Sequence, residues 1–208
     1  MSAIILIVDD EPALNELFVI GLKKYGFVTE GVLGGKECLD LLKDSAFKPD
    51  LILLDMMMEP MDGWETLHHI KNDTILQNIP VVMQTGKNLT YKEAEQFSYH
   101  IEDYIMKPIT PKKCIDYINS SLEKARVIHT IIENGIHAGL PIERVMRLAS
   151  LYRAIDVSQR LLKILEERYG SGKNVSDPDE YGPHEYQAFM DRIQIEYKQL
   201  SSELGLSL

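Results

Sequence analysis

Five short apolar runs, Ile4–Val8, Phe27–Val32, Leu51–Leu54, Val81–Gln84 and Tyr104–Met106, recur along the first half of the chain with helical patterns between them. That rhythm constrains the fold more than any other feature, because strand and helix in alternation make βαβ units and these build a parallel sheet. Ile4–Val8 and Leu51–Leu54 contain no polar residue. A strand without polar alternation has no face for solvent, which is what a parallel strand covered by helices on both sides requires. The segments Glu11–Tyr25, Lys36–Lys43, Asp62–Asn72, Tyr91–Tyr99 and Lys112–Ala125 carry apolar residues at spacings of three and four, and read as the intervening helices.

Five strands and five helices in residues 1–124 predict an α/β fold: a flavodoxin-like, doubly wound, five-stranded parallel sheet of order 2-1-3-4-5. Beyond Ala125 every segment reads as helix or loop. Lys112 to about Asn134 is expected to run as one extended helix that Gly135 and Gly139 interrupt, with Pro141 opening the next. Leu148, Leu151, Ile155, Ser158, Leu162, Leu165 and Tyr169 then form a three-four seam, and Gly170–His184 reads as a loop. Tyr186, Phe189, Ile193, Tyr197, Leu200 and Leu204 make a last apolar stripe. The expected division is a first domain over 1–124 and an all-α hairpin or bundle over 125–208. Its two seams present more apolar surface than one hairpin can bury, so pairing with a second copy through 125–208 is expected.

The net charge of −10 argues against a general polyanion binder. In the tail, Arg144, Arg147, Arg153, Arg160 and Lys163 interleave with Glu143, Asp156, Glu166 and Glu167, so a solvated face is expected there and nucleic acid is an unlikely partner. No apolar run approaches the ~18 residues of a membrane span and no basic leader precedes one, so a cytoplasmic protein is expected, with Cys38 and Cys114 reduced.

The chemistry gathers at the strand ends. The first strand runs into Asp9-Asp10-Glu11 and the third into Asp55, which places carboxylates at the carboxyl edge of adjacent parallel strands, where such sheets bind ligands. Acids so close stay ionised only beside a cation, and a hard ion such as Mg²⁺ fits an all-oxygen set. The fourth strand ends in Thr85-Gly86 and Lys107-Pro108 follows the fifth, which adds a hydroxyl and an ammonium to that edge. A carboxylate between a metal and a lysine is a layout for phosphoryl transfer.

Asp9-Asp10, Asp55, Met61-Asp62-Gly63, Thr85-Gly86 and Tyr104-Ile105-Met106-Lys107-Pro108, in this order, closely resemble the receiver domain of two-component response regulators over about residues 1–124. The resemblance implies that Asp55 accepts a phosphoryl group from a partner sensor histidine kinase. It also implies that Asp10, Asp55 and the Met57 carbonyl bind Mg²⁺, that Asp9 assists through water, and that Lys107 pairs with the phosphoryl group. Thr85 and Tyr104 are implied as the switch, and Lys107-Pro108 as a cis peptide. The protein is then a regulatory acceptor that catalyses only its own phosphorylation and dephosphorylation, with no further cofactor. One departure stands out: where the family usually has proline four residues after the acceptor, this chain has Glu59, followed by Pro60. Met57, whose side chain is expected to face the site, supplies no acid to position a water, which predicts an acyl phosphate that is not hydrolysed exceptionally fast.

Other signals lead elsewhere or nowhere. Gly170-Ser171-Gly172-Lys173 lacks the glycine and the hydroxyl of a phosphate-binding loop, since Glu167 and Asn174 occupy those places. The six histidines show no ligand spacing, and His129 is the one that could act in a helical bundle. Two rival functions follow from the same residues: a phosphorylation-controlled DNA-binding regulator with an atypical helical output, and a phosphohydrolase with Asp55 as nucleophile. The second lacks the further aspartate such phosphatases carry two residues on, where Met57 stands.

Overall fold

The computed structural model describes residues 2–44, 46–169 and 181–206. Its elements run β1 (Ile4–Val8), α1 (Pro12–Lys23), β2 (Val28–Val32), α2 (Gly35–Leu42), β3 (Leu51–Asp55), α3 (Gly63–Asn72), β4 (Val81–Thr85), α4 (Tyr91–Ser98), β5 (Asp103–Met106), α5 (Pro111–His137), α6 (Ile142–Tyr169) and α7 (Pro183–Leu204). The strands pair in parallel in the order β2-β1-β3-β4-β5, as the alternation of runs predicts. Ile5 stands opposite Leu51, Ile52 opposite Val81 and Val82 opposite Asp103. β3 and β4 each extend one residue beyond the apolar run, so Asp55 and Thr85 are the last residues of their strands and the ladder holds them in register.

Successive strand residues point to opposite faces of a sheet. Ile5, Ile7, Leu51, Leu53, Val82 and Ile105 pack with Phe18 and Leu22 of α1 and Cys114 and Ile118 of α5. Leu6, Ile52, Leu54 and Val81 on the other face are also fully buried. Both faces are therefore dry, and each large aliphatic side chain removed from water contributes about 1.5–3 kcal/mol. The helices begin where local chemistry allows: Pro12 opens α1, Asp62 accepts from the Glu65 N–H at 2.7 Å to cap α3, and Thr90 with Glu93 forms a reciprocal capping box on α4.

The chain divides into two compact units. One holds residues 1–88 and 102–123, and the other holds 89–101 and 124–208. The chain therefore leaves the sheet unit for α4 and returns at β5. In the helical unit, α5 runs through Gly135, contrary to the expected interruption. A β-carbon at Gly135 would lie 2.5 Å from Val145 Cγ2, so this glycine permits close helix packing. The helix stops at Gly139, whose φ of +69° ends the right-handed path.

The seam of α6 also differs from expectation. Leu148, Leu151, Ser158 and Leu165 are buried as predicted, but Ile155 and Leu162 are half-buried and Tyr169 is exposed. Val145, Ala149, Ala154, Val157 and Leu161 are buried in addition. A straight α-helix drifts off a strict heptad, and α6 packs on both α7 and α4, so its covered face is wider than a two-helix seam. α7 begins at Pro183, inside the segment expected as loop, while residues 170–180 of that segment lie outside the described residues. Among the described residues, no helix is long and apolar enough to cross a membrane.

Candidate functional site

Asp55 ends β3, Asp9 and Asp10 follow β1, and Lys107 follows β5, so parallel pairing delivers all four to one edge of the sheet unit. Lys107 Nζ donates to Asp55 Oδ2 at 2.7 Å and to Asp9 Oδ2 at 2.8 Å. The remaining oxygens are also held: Asp55 Oδ1 accepts from the Met57 N–H at 3.2 Å, and Asp9 Oδ1 from the Glu11 N–H at 3.0 Å. Asp10 is exposed, and its Oδ2 accepts from the Glu59 N–H at 3.4 Å. The Glu59–Pro60 loop thus closes onto the acid pair, and this peptide is cis, as is Lys107–Pro108. Glu11, read with its neighbours as part of the acidic edge, lies outside the cluster; its carbonyl accepts from Asn15 in the first turn of α1.

One carboxylate oxygen from each of Asp9, Asp10 and Asp55 lies within 4.8 Å of the others. Three hard oxygen donors, with Asp10 open to solvent, suit a small divalent cation that keeps several waters, and Mg²⁺ has that character. Burial pushes the Asp55 carboxyl above its ordinary range, although Lys107 pulls it down. Burial lowers the Lys107 ammonium, but its hydrogen bonds and charge pairing with Asp55 and Asp9 outweigh that and leave it raised. Lys107 therefore keeps its proton where it is needed as a fixed positive charge.

The other residues singled out by sequence occupy different places. Thr85 is buried; its Oγ1 accepts from the Lys87 N–H at 2.9 Å and its carbonyl from the Lys107 N–H at 2.8 Å. Tyr104 is buried within β5 opposite Met83. Met57 is 59% exposed. Gly63 is held against the acceptor strand: a β-carbon there would sit 2.1 Å from the Asp55 carbonyl oxygen.

Sequence reasoning missed Asn15. Its buried amide donates to the carbonyls of Val32 at 2.8 Å, Ile7 at 3.3 Å and Asp9 at 3.4 Å, and so ties the ends of β1 and β2 beneath the acid pair. The signal was present, since Asn15 is the polar member of an apolar stripe with Phe18 and Leu22 at three and four spacing.

The profile of the response regulator receiver domain matches residues 5–119. The DNA-binding response regulator MtrA of Mycobacterium leprae is 30% identical over 183 residues, which is 80% of this chain and 79% of that protein. MtrA of Mycolicibacterium smegmatis is 32% identical over 120 residues, 58% of this chain and 50% of its own. The chain spans about half the length of several curated relatives it matches. Among solved structures, a CheY-like receiver domain protein from Methanospirillum hungatei superposes with a TM-score of 0.55 at 24% identity, over 61% of this chain and 98% of that one, a likeness of fold. The chain belongs to the response regulator family through its receiver domain, and two-component signalling is its setting.

Proposed function

We propose that this protein is a response regulator whose receiver, residues 1–124, accepts a phosphoryl group on Asp55 from a sensor histidine kinase. The observation that carries the reading is the Lys107 ammonium bridging Asp55 and Asp9 beside a third carboxylate on a parallel-sheet edge. In the transfer, an Asp55 carboxylate oxygen bonds to phosphorus while the bond from phosphorus to the donor's imidazole nitrogen breaks, and the imidazole takes up a proton. Asp10 and Asp55 would hold Mg²⁺ with the Met57 carbonyl, and Asp9 would assist through water. The ion, when bound, neutralises charge on the transferred group. Lys107 covers another of its oxygens, so that positioning and charge do the work. Thr85 follows the phosphoryl oxygen and Tyr104 responds, forming a two-state element.

On this reading the chain turns over no external substrate, and residues 125–208 are the output. Self-association through 125–208 would use the large apolar side chains that the tail leaves exposed among the described residues, namely Ile136, Ile142, Tyr169 and Ile195. A second reading, an output that binds DNA, is favoured by one observation, the match to MtrA of Mycobacterium leprae over most of this chain. Binding to duplex DNA that falls steeply with salt supports that reading. The test of the main reading is incubation with acetyl phosphate and Mg²⁺, followed by mass spectrometry for one phosphoryl group on Asp55.

A further inference from the structure

The edge of the sheet unit opposite the acid cluster carries a cavity of about 580 Å³, between the segment that leads from α2 into β3 and the one that leads from α3 into β4. Its apolar walls are Leu42, Phe47 and Pro49 on one side and Ile75, Leu76 and Ile79 on the other. The volume falls within the range of small-molecule sites, which are concave, mostly apolar and largely preformed.

Hydrogen bonds hold both walls in place. Asp73 follows α3 and accepts the Ile75 and Leu76 N–H groups on Oδ1 at 2.7 and 3.1 Å, while its carbonyl accepts from the Gln77 N–H at 2.9 Å. Lys71 Nζ donates to the carbonyls of Gln77 at 3.0 Å and Ile79 at 2.7 Å, which closes the segment on itself. Across the cavity Asp44 Oδ1 accepts from the Ala46 N–H at 2.9 Å, and the Asp44 carbonyl accepts from the Phe47 N–H at 3.0 Å. Segments so tied cannot collapse to hide their apolar side chains. Ile75 is 81% exposed, more than any other large apolar residue among those described. A single exposed isoleucine needs no explanation, but one that also lines an apolar cavity is surface that a ligand would take out of water.

The rim bears on the ligand's charge. Lys43 and Lys48 stand there with Asp44 and Asp73. Both acids accept backbone N–H groups of their own turns, and the Lys43 ammonium is paired with Asp40 at 2.7 Å. Lys48 is exposed and has no ion pair or hydrogen bond among the described residues.

We propose that this cavity binds a small amphipathic anion, of the class of a medium-chain carboxylate. Its apolar chain lies against Phe47, Ile75 and Leu76, and its carboxylate pairs with the Lys48 ammonium. The site shares no residue with the acid cluster, so it stands apart from the reading of Asp55 as acceptor.

The test is calorimetric titration of the full chain with decanoate, and with decanol and decylammonium as its neutral and cationic counterparts. Decanoate is expected to bind at one site, the most tightly of the three, and to weaken as salt is added. Ile75→Asp is expected to weaken it roughly tenfold or more and Lys48→Ala roughly threefold. Both positions are exposed, so both variants should keep the wild-type circular dichroism. Asp55→Asn is expected to bind decanoate as wild type does. Binding that ignores Ile75→Asp and Lys48→Ala, or that is lost in Asp55→Asn, overturns the site. Tighter binding of decylammonium overturns the choice of an anion. No binding of decanoate overturns the proposal, and a dimer that Ile75→Asp separates would then give the cavity to a second copy.

Discussion

Lys107 Nζ stands 2.7 Å from Asp55 Oδ2, a contact made across 52 residues of sequence and shielded from most solvent. The pair sets the acceptor's charge balance, because burial, with a smaller push from the Asp9 charge, raises the Asp55 carboxyl and the ammonium restrains that rise. Asp55→Asn is expected to abolish labelling by acetyl phosphate, since no carboxylate is left between Lys107 and the acid pair. Full labelling of the variant, mapped by peptide mass, refutes the assignment.

The same carboxyl makes stability depend on pH. A folded-state pKa above the unfolded one means that the native state binds the Asp55 proton more tightly, so this contribution is complete below the unfolded value near 3.8 and is lost as pH rises through the folded value. Without metal, Asp55→Asn should therefore raise the melting temperature at pH 7 and do so less at pH 4. Thermal melts in chelator at the two pH values check the sign.

Mg²⁺ is expected to raise the melting temperature of wild type, because an ion that binds only the native state stabilises it by mass action. Asp10→Ala should remove most of that rise, because the exposed donor of the three-acid cluster is lost. Asp9→Ala should weaken it less. Equal metal-dependent shifts in wild type and Asp10→Ala count against a metal role for the cluster.

Thr85→Ala should leave phosphorylation possible and uncouple it from any response of α4. The hydroxyl lost is one that accepts from the Lys87 N–H, while the carbonyl that receives the Lys107 N–H is kept. Tyr104→Ala is expected to act alike. Hydrogen exchange at Tyr91–Ser98 with and without beryllofluoride reads the coupling, and a wild-type response in both variants removes them from the switch.

Gly63→Ala is expected to destabilise the protein by about 1–3 kcal/mol, the usual range for overpacking. The added carbon would overlap the Asp55 carbonyl oxygen, leaving 2.1 Å between them, and backbone on both sides has little room to give. Urea unfolding measures the loss, and slower labelling should accompany it because the acceptor strand is displaced.

How much of the site was legible follows from which residues lie at strand ends. Asp9, Asp55, Thr85 and Lys107 each close or follow an apolar run, so strand assignment alone brought them to one edge. Asn15 was not read, because a lone amide on a helix has many ordinary uses and its three carbonyl partners belong to β1, β2 and the turn after β1. The closure of the Glu59 N–H onto Asp10 was also beyond pattern, because the two lie 49 residues apart in sequence.

By itself the sequence determined the parallel sheet, its order and the acidic edge, because unbroken apolar strands between amphipathic helices have few ways to bury both faces. It determined equally that the tail is helical and apolar on one side. What covers that side was decided by tertiary structure. Periodicity records that a face must be buried but carries no address for its partner, and the answer was threefold: α6 and α7 cover each other, Ile128 and Ile131 of α5 join Leu148, Ala149 and Leu204, and α4 is reached through Tyr91, Glu95 and Tyr99. The same holds for Gly135, which in sequence resembles a helix end and in space admits Val145, since only the approach of a neighbouring helix distinguishes a break from a close contact.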